Sequence, residues 1–263
     1  MSNIRLHKGD CIEGMQSLGE AAVDVVVTSP PYNIGKEYGS YDDGIPRDDY
    51  LDWCRGWIVE IWHVLKEGGS FFLNIGGKPT DPWVPFDVAQ IVRRYFQLQN
   101  TFIWVKSIAI DEMTHGHYKP INSPRFVNDC FEYVFHFSHE GKVPLDRLAV
   151  GVPYADKSNI ERWQGKQDRR CRGNTWFLPY DTIQSRSDRP HPATFPVALP
   201  EMCLKLHGVE RIQQVLDPFM GIGTTALACY NLDLDCIGFE IDDDYWQYSR
   251  ERIPAVRTEG GQG

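Results

Sequence analysis

Val23-Asp24-Val25-Val26-Val27 runs directly into Thr28-Ser29-Pro30-Pro31-Tyr32-Asn33. The β-branched run reads as a buried strand. Two prolines then end it, because neither can donate to a sheet ladder. This leaves a stiff, extended turn at the carboxyl end of a strand, the place where open α/β sheets bind ligands. Pro30 and Pro31 carry no N–H, so the turn is rich in carbonyl acceptors; Ser29 adds a hydroxyl and Tyr32 a flat ring. Acceptors beside a ring suit a planar group with an amino substituent, such as a nucleobase. Read alone, the same residues equally describe a proline turn with a packing tyrosine.

A second stretch adds to the first. Gln214-Val215-Leu216-Asp217-Pro218-Phe219-Met220-Gly221-Ile222-Gly223-Thr224-Thr225 reads as strand, glycine turn and helix. Gly221 and Gly223 let a loop approach a ligand closely, and a helix N-terminus favours a carboxylate or phosphate. Leu234-Asp235-Cys236-Ile237-Gly238-Phe239 reads as the next strand and ends at Glu240. An acid there, about 20 residues beyond the glycine turn, suits ribose hydroxyls. The third glycine of the dinucleotide fingerprint is missing, with Thr225 and Ala226 nearby. A nucleoside carrying a carboxylate therefore fits the loop better than a pyrophosphate.

Together, Thr28–Asn33 and Leu216–Thr225 resemble the amino-methylating DNA methyltransferases that use S-adenosylmethionine. The catalytic turn precedes the cofactor loop, the circularly permuted order of the β group of that family. The resemblance implies a catalytic role for Ser29, Pro30, Pro31 and Tyr32. It places S-adenosylmethionine on Asp217, Pro218, Phe219, Gly221, Gly223, Thr224, Thr225 and Glu240, with Asp10 and Cys11 at its adenine and Thr194 and Phe195 completing the pocket. Asp10 also suits a helix N-cap. The implied substrate is duplex DNA, with the target base flipped out of the helix. The family also brings a homodimer and a companion restriction endonuclease as partners.

Several strand-like runs lie between these stretches: Ile4–Lys8, Ser70–Ile75, Thr101–Lys106 and Phe131–Phe137. With the strands of the two motifs they make about seven, and helical runs separate many of them. The expected fold is α/β: a doubly wound, mixed but mostly parallel seven-stranded sheet, with Phe131–Phe137 antiparallel near an edge. Leu51, Cys54, Ile58, Ile61, Trp62 and Leu65 recur at helical spacing, and Gly68-Gly69 is expected to stop that helix. Trp83–Phe96 and a run ending near His207 are further helices. Gly35 to Arg47 reads as a loop over the target base.

Residues 1–106 form the expected catalytic half, 107–190 the last sheet strand with an inserted target-recognition region, and 191–254 the cofactor half. Residues 255–263 read as a disordered tail. The chain carries a net charge of −9, yet residues 141–190 hold ten Lys/Arg against six Asp/Glu. In that segment Arg162, Lys166, Arg169, Arg170 and Arg172 interleave with Trp163 and Trp176, a pattern that suits phosphate and base contacts. A solvated loop with structural tryptophans is the alternative.

The seven cysteines form no Cys-x-x-Cys pair, and His115-x-His117 lacks a third ligand, so neither disulfides nor a metal is expected. No signal peptide or spanning run is seen, and free thiols suit a reducing cytoplasm. No Pro-Cys pair of the kind used in ring-carbon methylation occurs. The resemblance implies direct transfer to an exocyclic amine: Ser29-Pro30-Pro31-Tyr32 resembles the serine-type members, found more often with cytosine N4, with adenine N6 as the alternative. An RNA or protein-amide methyltransferase, a nucleotide-linked oxidoreductase and a silent DNA-binding module are the competing readings.

Overall fold

A computed structural model of the chain describes residues 2–35, 43–116, 121–162, 167–179 and 194–254. Residues 36–42 of the expected loop, together with His117, Trp163, Lys166, His191 and the tail after Pro254, lie outside the described residues.

In chain order the elements are β1 (Ile4–Lys8), α1 (Cys11–Gln16), β2 (Val23–Thr28), α2 (Arg47–Val64), β3 (Leu65–Ile75), α3 (Val84–Val92) and β4 (Gln97–Val105). A hairpin, β5 (Ser107–Ile110) with β6 (Met113–Gly116), follows. Then come β7 (Phe131–Ser138), α4 (Ser158–Arg162), β8 (Thr175–Phe177), α5 (Ala198–His207), β9 (Gln214–Asp217), α6 (Thr224–Asn231), β10 (Asp235–Glu240) and α7 (Asp243–Arg252).

Apart from the hairpin, the strands form one sheet in the order β1-β10-β9-β2-β3-β7-β4-β8. The first five run parallel, β7 is antiparallel to both β3 and β4, and β8 pairs parallel with β4. The sheet thus has the expected mixed, mostly parallel character, with β8 as an eighth, three-residue strand from the inserted region. β7 is antiparallel and near one edge, as expected, with β4 and the short β8 outside it. One local expectation is corrected. Helix α2 ends at Val64, and the Gly68-Gly69 pair lies within β3, where the pairing with β2 slips between Val23 and Val25.

Each face of the sheet carries its own core. Met15, Tyr50, Cys54, Trp57, Ile61 and Val88 on α1, α2 and α3 pack with Phe71, Leu73 and Phe137 on one side. Leu199, Cys203, Ala226 and Ile253 pack with Val25, Val27, Phe72 and Trp176 on the other. Burial on both sides explains why the parallel strands read as continuous apolar runs. On α2 the buried stripe takes in Tyr50 and Trp57, whereas Trp62 is 41% exposed.

β2 and β9 are neighbours, but the chain leaves them in opposite directions: β2 leads through α2 to β3, and β9 leads through α6 to β10. The crossover helices therefore lie on opposite faces, and a crevice opens between the two strand ends. Both sequence motifs lie at this crevice. At the far end of the same pair, Asp24 of β2 accepts from the Gln213 and Gln214 amides, each at 2.9 Å, and pairs with Lys66.

Candidate active site

Asp217, the last residue of β9, joins the two motifs. Its carboxylate accepts from Thr28 Oγ1 at 2.7 Å, from Thr225 Oγ1 at 2.6 Å and from the Phe219 amide at 3.0 Å. The residue is 1% exposed. Burial pushes its pKa up to about 6, opposed by the hydroxyls of Thr225 and Thr28. The sequence reading made Asp217 and Thr225 cofactor contacts. Their polar side-chain atoms bond to each other, and through Thr28 the Asp217 carboxylate links the strand before the Pro-Pro turn to the glycine turn.

The catalytic turn is held from several sides. Tyr50 of α2 donates to the Pro31 carbonyl at 2.9 Å. Asn33 has φ +56°, and the buried Asp43 carboxylate accepts the amides of Asn33 at 2.6 Å and Ile34 at 3.1 Å. Such left-handed backbone is available to asparagine at low cost. No bond to the Pro30 carbonyl forms among the described residues. Ser29 Oγ lies 2.8 Å from the Tyr32 hydroxyl. Tyr32 Oη is in turn 3.0 Å from Glu132 Oε2 and 3.3 Å from Asn74 Oδ1. Asn74 Nδ2 donates to Glu132 Oε2 and to the Tyr133 carbonyl, both at 3.1 Å, and Lys106 Nζ donates to Glu132 Oε1 at 2.9 Å. A side chain at Gly76 would put its Cβ 2.9 Å from Glu132 Cγ and 3.3 Å from the Tyr32 ring, so glycine allows this cluster to close over β3.

Across the crevice, Gly221 and Gly223 have φ of +52° and +80°, and Gly223 caps α6. A Cβ on Gly223 would stand 2.9 Å from Ile253, so glycine is required by both backbone and space. Glu240 Oε2 accepts from the Gly221 amide at 2.7 Å and Oε1 from the Asp242 amide at 2.8 Å. Burial raises the Glu240 pKa, and those two amides oppose the rise. Each oxygen keeps acceptor capacity for a ligand hydroxyl.

Asp10 caps α1 by accepting from the Ile12 and Glu13 amides, and the Gly9 amide reaches the Glu240 carbonyl at 2.9 Å. The Asp10–Cys11 corner is thereby joined to the end of β10. Burial, with the Asp10 charge, pushes the Cys11 thiol far above its ordinary value, so it stays protonated. Pro218 is buried, and Thr224 Oγ1 accepts from Arg252 at 3.3 Å. The Phe219 ring packs against Trp53 and Trp57 of α2, with both ring centroids at 5.5 Å. Thr194 and Phe195 are half-buried just before α5, which packs on β2 and α6.

A family model described as DNA methylase matches residues 23–251. The chain belongs to the DNA methylase family. Among similar proteins, the type II methyltransferase M.HpaI of Haemophilus parainfluenzae is 29% identical over 95% of this chain and 74% of its own length. The structure of the cytosine-N4-specific PvuII DNA methyltransferase superposes with a TM-score of 0.72 at 23% identity, covering 96% of this chain and 86% of that one. A protein from Thermus thermophilus described as a DNA modification methylase, complexed with S-adenosyl-L-methionine, gives 0.64 at 23% identity over 97% and 96% of the two chains. At these identities the two structural likenesses are of fold.

In this methylase the sequence reading missed Asp43, Asn74, Lys106 and Glu132. Two of them carry a legible signal: Asn74 and Glu132 are polar intrusions into the apolar runs Phe71–Ile75 and Phe131–Phe137. The basic segment is partly tied to its own backbone. Arg169 donates to the Gly151 carbonyl at 3.3 Å, Arg172 to the Val150 carbonyl at 2.9 Å and Arg170 to the Cys171 carbonyl at 3.4 Å. These three and Arg162 are exposed. Trp176 of β8 stacks on Phe102 at 4.3 Å and anchors the segment to the sheet edge.

Proposed function

We propose that this methylase transfers a methyl group from S-adenosylmethionine to the N4 amine of a cytosine flipped out of duplex DNA. The observation that carries the reading is the Ser29–Pro30 pair at the crevice: one neutral hydroxyl and one carbonyl that takes no hydrogen bond among the described residues. An exocyclic amine is a poor nucleophile because its lone pair is delocalised into the ring. Ser29 Oγ and the Pro30 carbonyl accept its two N–H groups and draw the nitrogen towards tetrahedral geometry. Tyr32 offers its ring to the base. When bound, the sulfonium would supply an already electrophilic methyl and leave as the neutral thioether S-adenosylhomocysteine, while the methylated nitrogen releases its surplus proton to solvent, so positioning rather than an acid–base pair is what the protein contributes.

The residues present fit that cofactor. Glu240 retains acceptors for ribose hydroxyls, and the N-terminus of α6 behind Gly221 and Gly223 suits a carboxylate. Asp10 and Cys11 border the same end of the sheet, where an adenine fits. Arg162, Arg169, Arg170 and Arg172 supply exposed positive charge for DNA phosphates on an otherwise acidic chain.

The choice of cytosine rests on Ser29 being neutral. A serine hydroxyl accepts an amino hydrogen without setting a full negative charge against a pyrimidine that carries its own acceptor oxygen. The cytosine-N4 specificity of the PvuII enzyme is in line with this reading. Mass spectrometry of nucleosides from duplex DNA treated with the purified protein and S-adenosylmethionine tests it. N4-methyldeoxycytidine is expected. N6-methyldeoxyadenosine alone would transfer the assignment to adenine, and methylation of RNA or protein but not DNA would overturn it.

A further inference from the structure

Ser29 is chemically ambivalent, since a hydroxyl both donates and accepts. The cluster behind it removes that ambivalence. Glu132 and Lys106 are largely buried, with side chains 12% and 16% exposed, and are paired at 2.9 Å. A carboxylate paired to an ammonium only accepts. Asn74 Nδ2 serves Glu132 Oε2 and the Tyr133 carbonyl, both acceptors, so its amide cannot be turned round without setting oxygen against oxygen. Asn74 Oδ1 therefore faces Tyr32. The Tyr32 hydroxyl has one proton, and on that side it faces, among the described residues, Glu132 Oε2 at 3.0 Å and Asn74 Oδ1 at 3.3 Å. Both are acceptors at those atoms. Whichever takes the proton, the bond between Tyr32 and Ser29 Oγ at 2.8 Å is made by Ser29 donating.

We propose that the Lys106–Glu132 pair, through Asn74 and Tyr32, commits the Ser29 hydrogen inward so that Ser29 meets the target base as an acceptor only. Glu132 and Lys106 are positioning residues in this scheme, and no proton moves along the chain. The register of the sheet builds it: β7 sets Tyr133 opposite Ile75 and Glu132 opposite Trp104, which brings Glu132 beside Asn74 and within reach of Lys106 just past β4. The consequence for substrate class is that Ser29 and the Pro30 carbonyl form two acceptors. They welcome an amino group and repel a keto oxygen, so cytosine or adenine is admitted and thymine or guanine is refused at that position. The inference rests on the amino-methylation reading.

A double-mutant cycle of Glu132→Gln with Ser29→Ala tests it. The glutamine amide can donate to Tyr32, which would reverse the hydrogen bonds and occupy a Ser29 lone pair. Glu132→Gln is expected to lower kcat by about tenfold or more while KM for DNA and cofactor affinity change little. In the Ser29→Ala background the same substitution is expected to have no further effect on kcat. Independent effects, or an unchanged kcat, would overturn the scheme. Tyr32→Phe, which keeps the ring, provides a second cycle should Glu132→Gln fold poorly, and it too must be non-additive with Ser29→Ala. The hydroxyl proton of Tyr32, followed by NMR and assigned by its loss in Tyr32→Phe, gives a readout independent of turnover. A slowly exchanging resonance that shifts in Glu132→Gln supports the scheme; its absence in the wild type counts against it. If the wild type methylates no DNA, the functional reading fails, and the resonance still decides the hydrogen-bond direction.

Discussion

Thr28 and Glu240 each do a task that their residue type alone would not reveal. Thr28 ends a buried strand and commits its hydroxyl to Asp217. In Thr28→Val the shape is kept but a buried carboxylate loses a donor. We expect a loss of about 1–3 kcal/mol in stability, the usual cost of leaving such a group unsatisfied. Urea denaturation with an unchanged midpoint would show that the bond is dispensable. Glu240 holds the Gly221 amide, and the proposed function gives it the ribose of the cofactor as well. Charge-assisted hydrogen bonds contribute roughly 1.5–3 kcal/mol, so Glu240→Ala should weaken S-adenosylmethionine binding about tenfold to a hundredfold. Calorimetry on the folded variant measures this, and unchanged affinity would remove Glu240 from the site.

Among the described residues, the stretch from β7 to β8 holds only the short α4 as a regular element, and its sequence carries a net positive charge. Val152 and Arg170 pair as an isolated antiparallel bridge, and Lys157 pairs with Asp168. These contacts hold the segment in shape while leaving guanidinium groups exposed. Exposed ion pairs of this kind add little stability, so substitution there should leave the fold intact. Replacing Arg169, Arg170 and Arg172 together with glutamine is expected to weaken DNA binding and to reduce the salt slope by about 0.9 for each phosphate that is no longer neutralised. Fluorescence anisotropy across a salt series reads both. A slope equal to that of the wild type would make the segment a solvated loop.

At the scale of the whole molecule, a buried polar line crosses the sheet at the end away from the crevice. His136 of β7 reaches Ser70 of β3 at 3.0 Å, and Ser70 reaches His207 of α5 at 2.8 Å. Burial pushes the His136 pKa down to about 3, helped by His207, and that of His207 down to about 4, helped by Arg211 and opposed by Asp24 and Glu210. Unfolded imidazoles titrate near 6.5, so below that pH the unfolded chain binds more protons. The contribution of the pair to stability is complete above about pH 6.5 and is lost progressively towards pH 4 for His207 and pH 3 for His136. Asp217 and Glu240, raised in the fold, work in the opposite sense. The comparison is therefore made against a Ser70→Ala/His207→Leu variant. Between pH 7.5 and 5 the wild type should lose roughly 1–3 kcal/mol more than the variant in urea denaturation. Parallel curves would show that His207 does not set the pH response.

The two motifs, the strand runs and the glycine turn were legible in the chain because each is a local event. β-branched runs, paired prolines and glycines at a strand end act through the backbone of their own few residues. The amphipathic face of α2 was legible in the main, although Trp57 inside and Trp62 outside had to be decided by packing. What tertiary structure alone decided is which distant groups meet. Glu132 lies 100 residues from Tyr32, and Asp217 lies 189 from Thr28, yet each pair is joined by one hydrogen bond. Nothing local marks a partner so far along the chain, because the register of β7 on β3 and the adjacency of β2 and β9 create the contact. The same physics makes Asp217 a buried link between the two motifs. By itself the sequence determined the family of chemistry at the crevice; the pairing of strands decided which side chains meet there and which hold those in place.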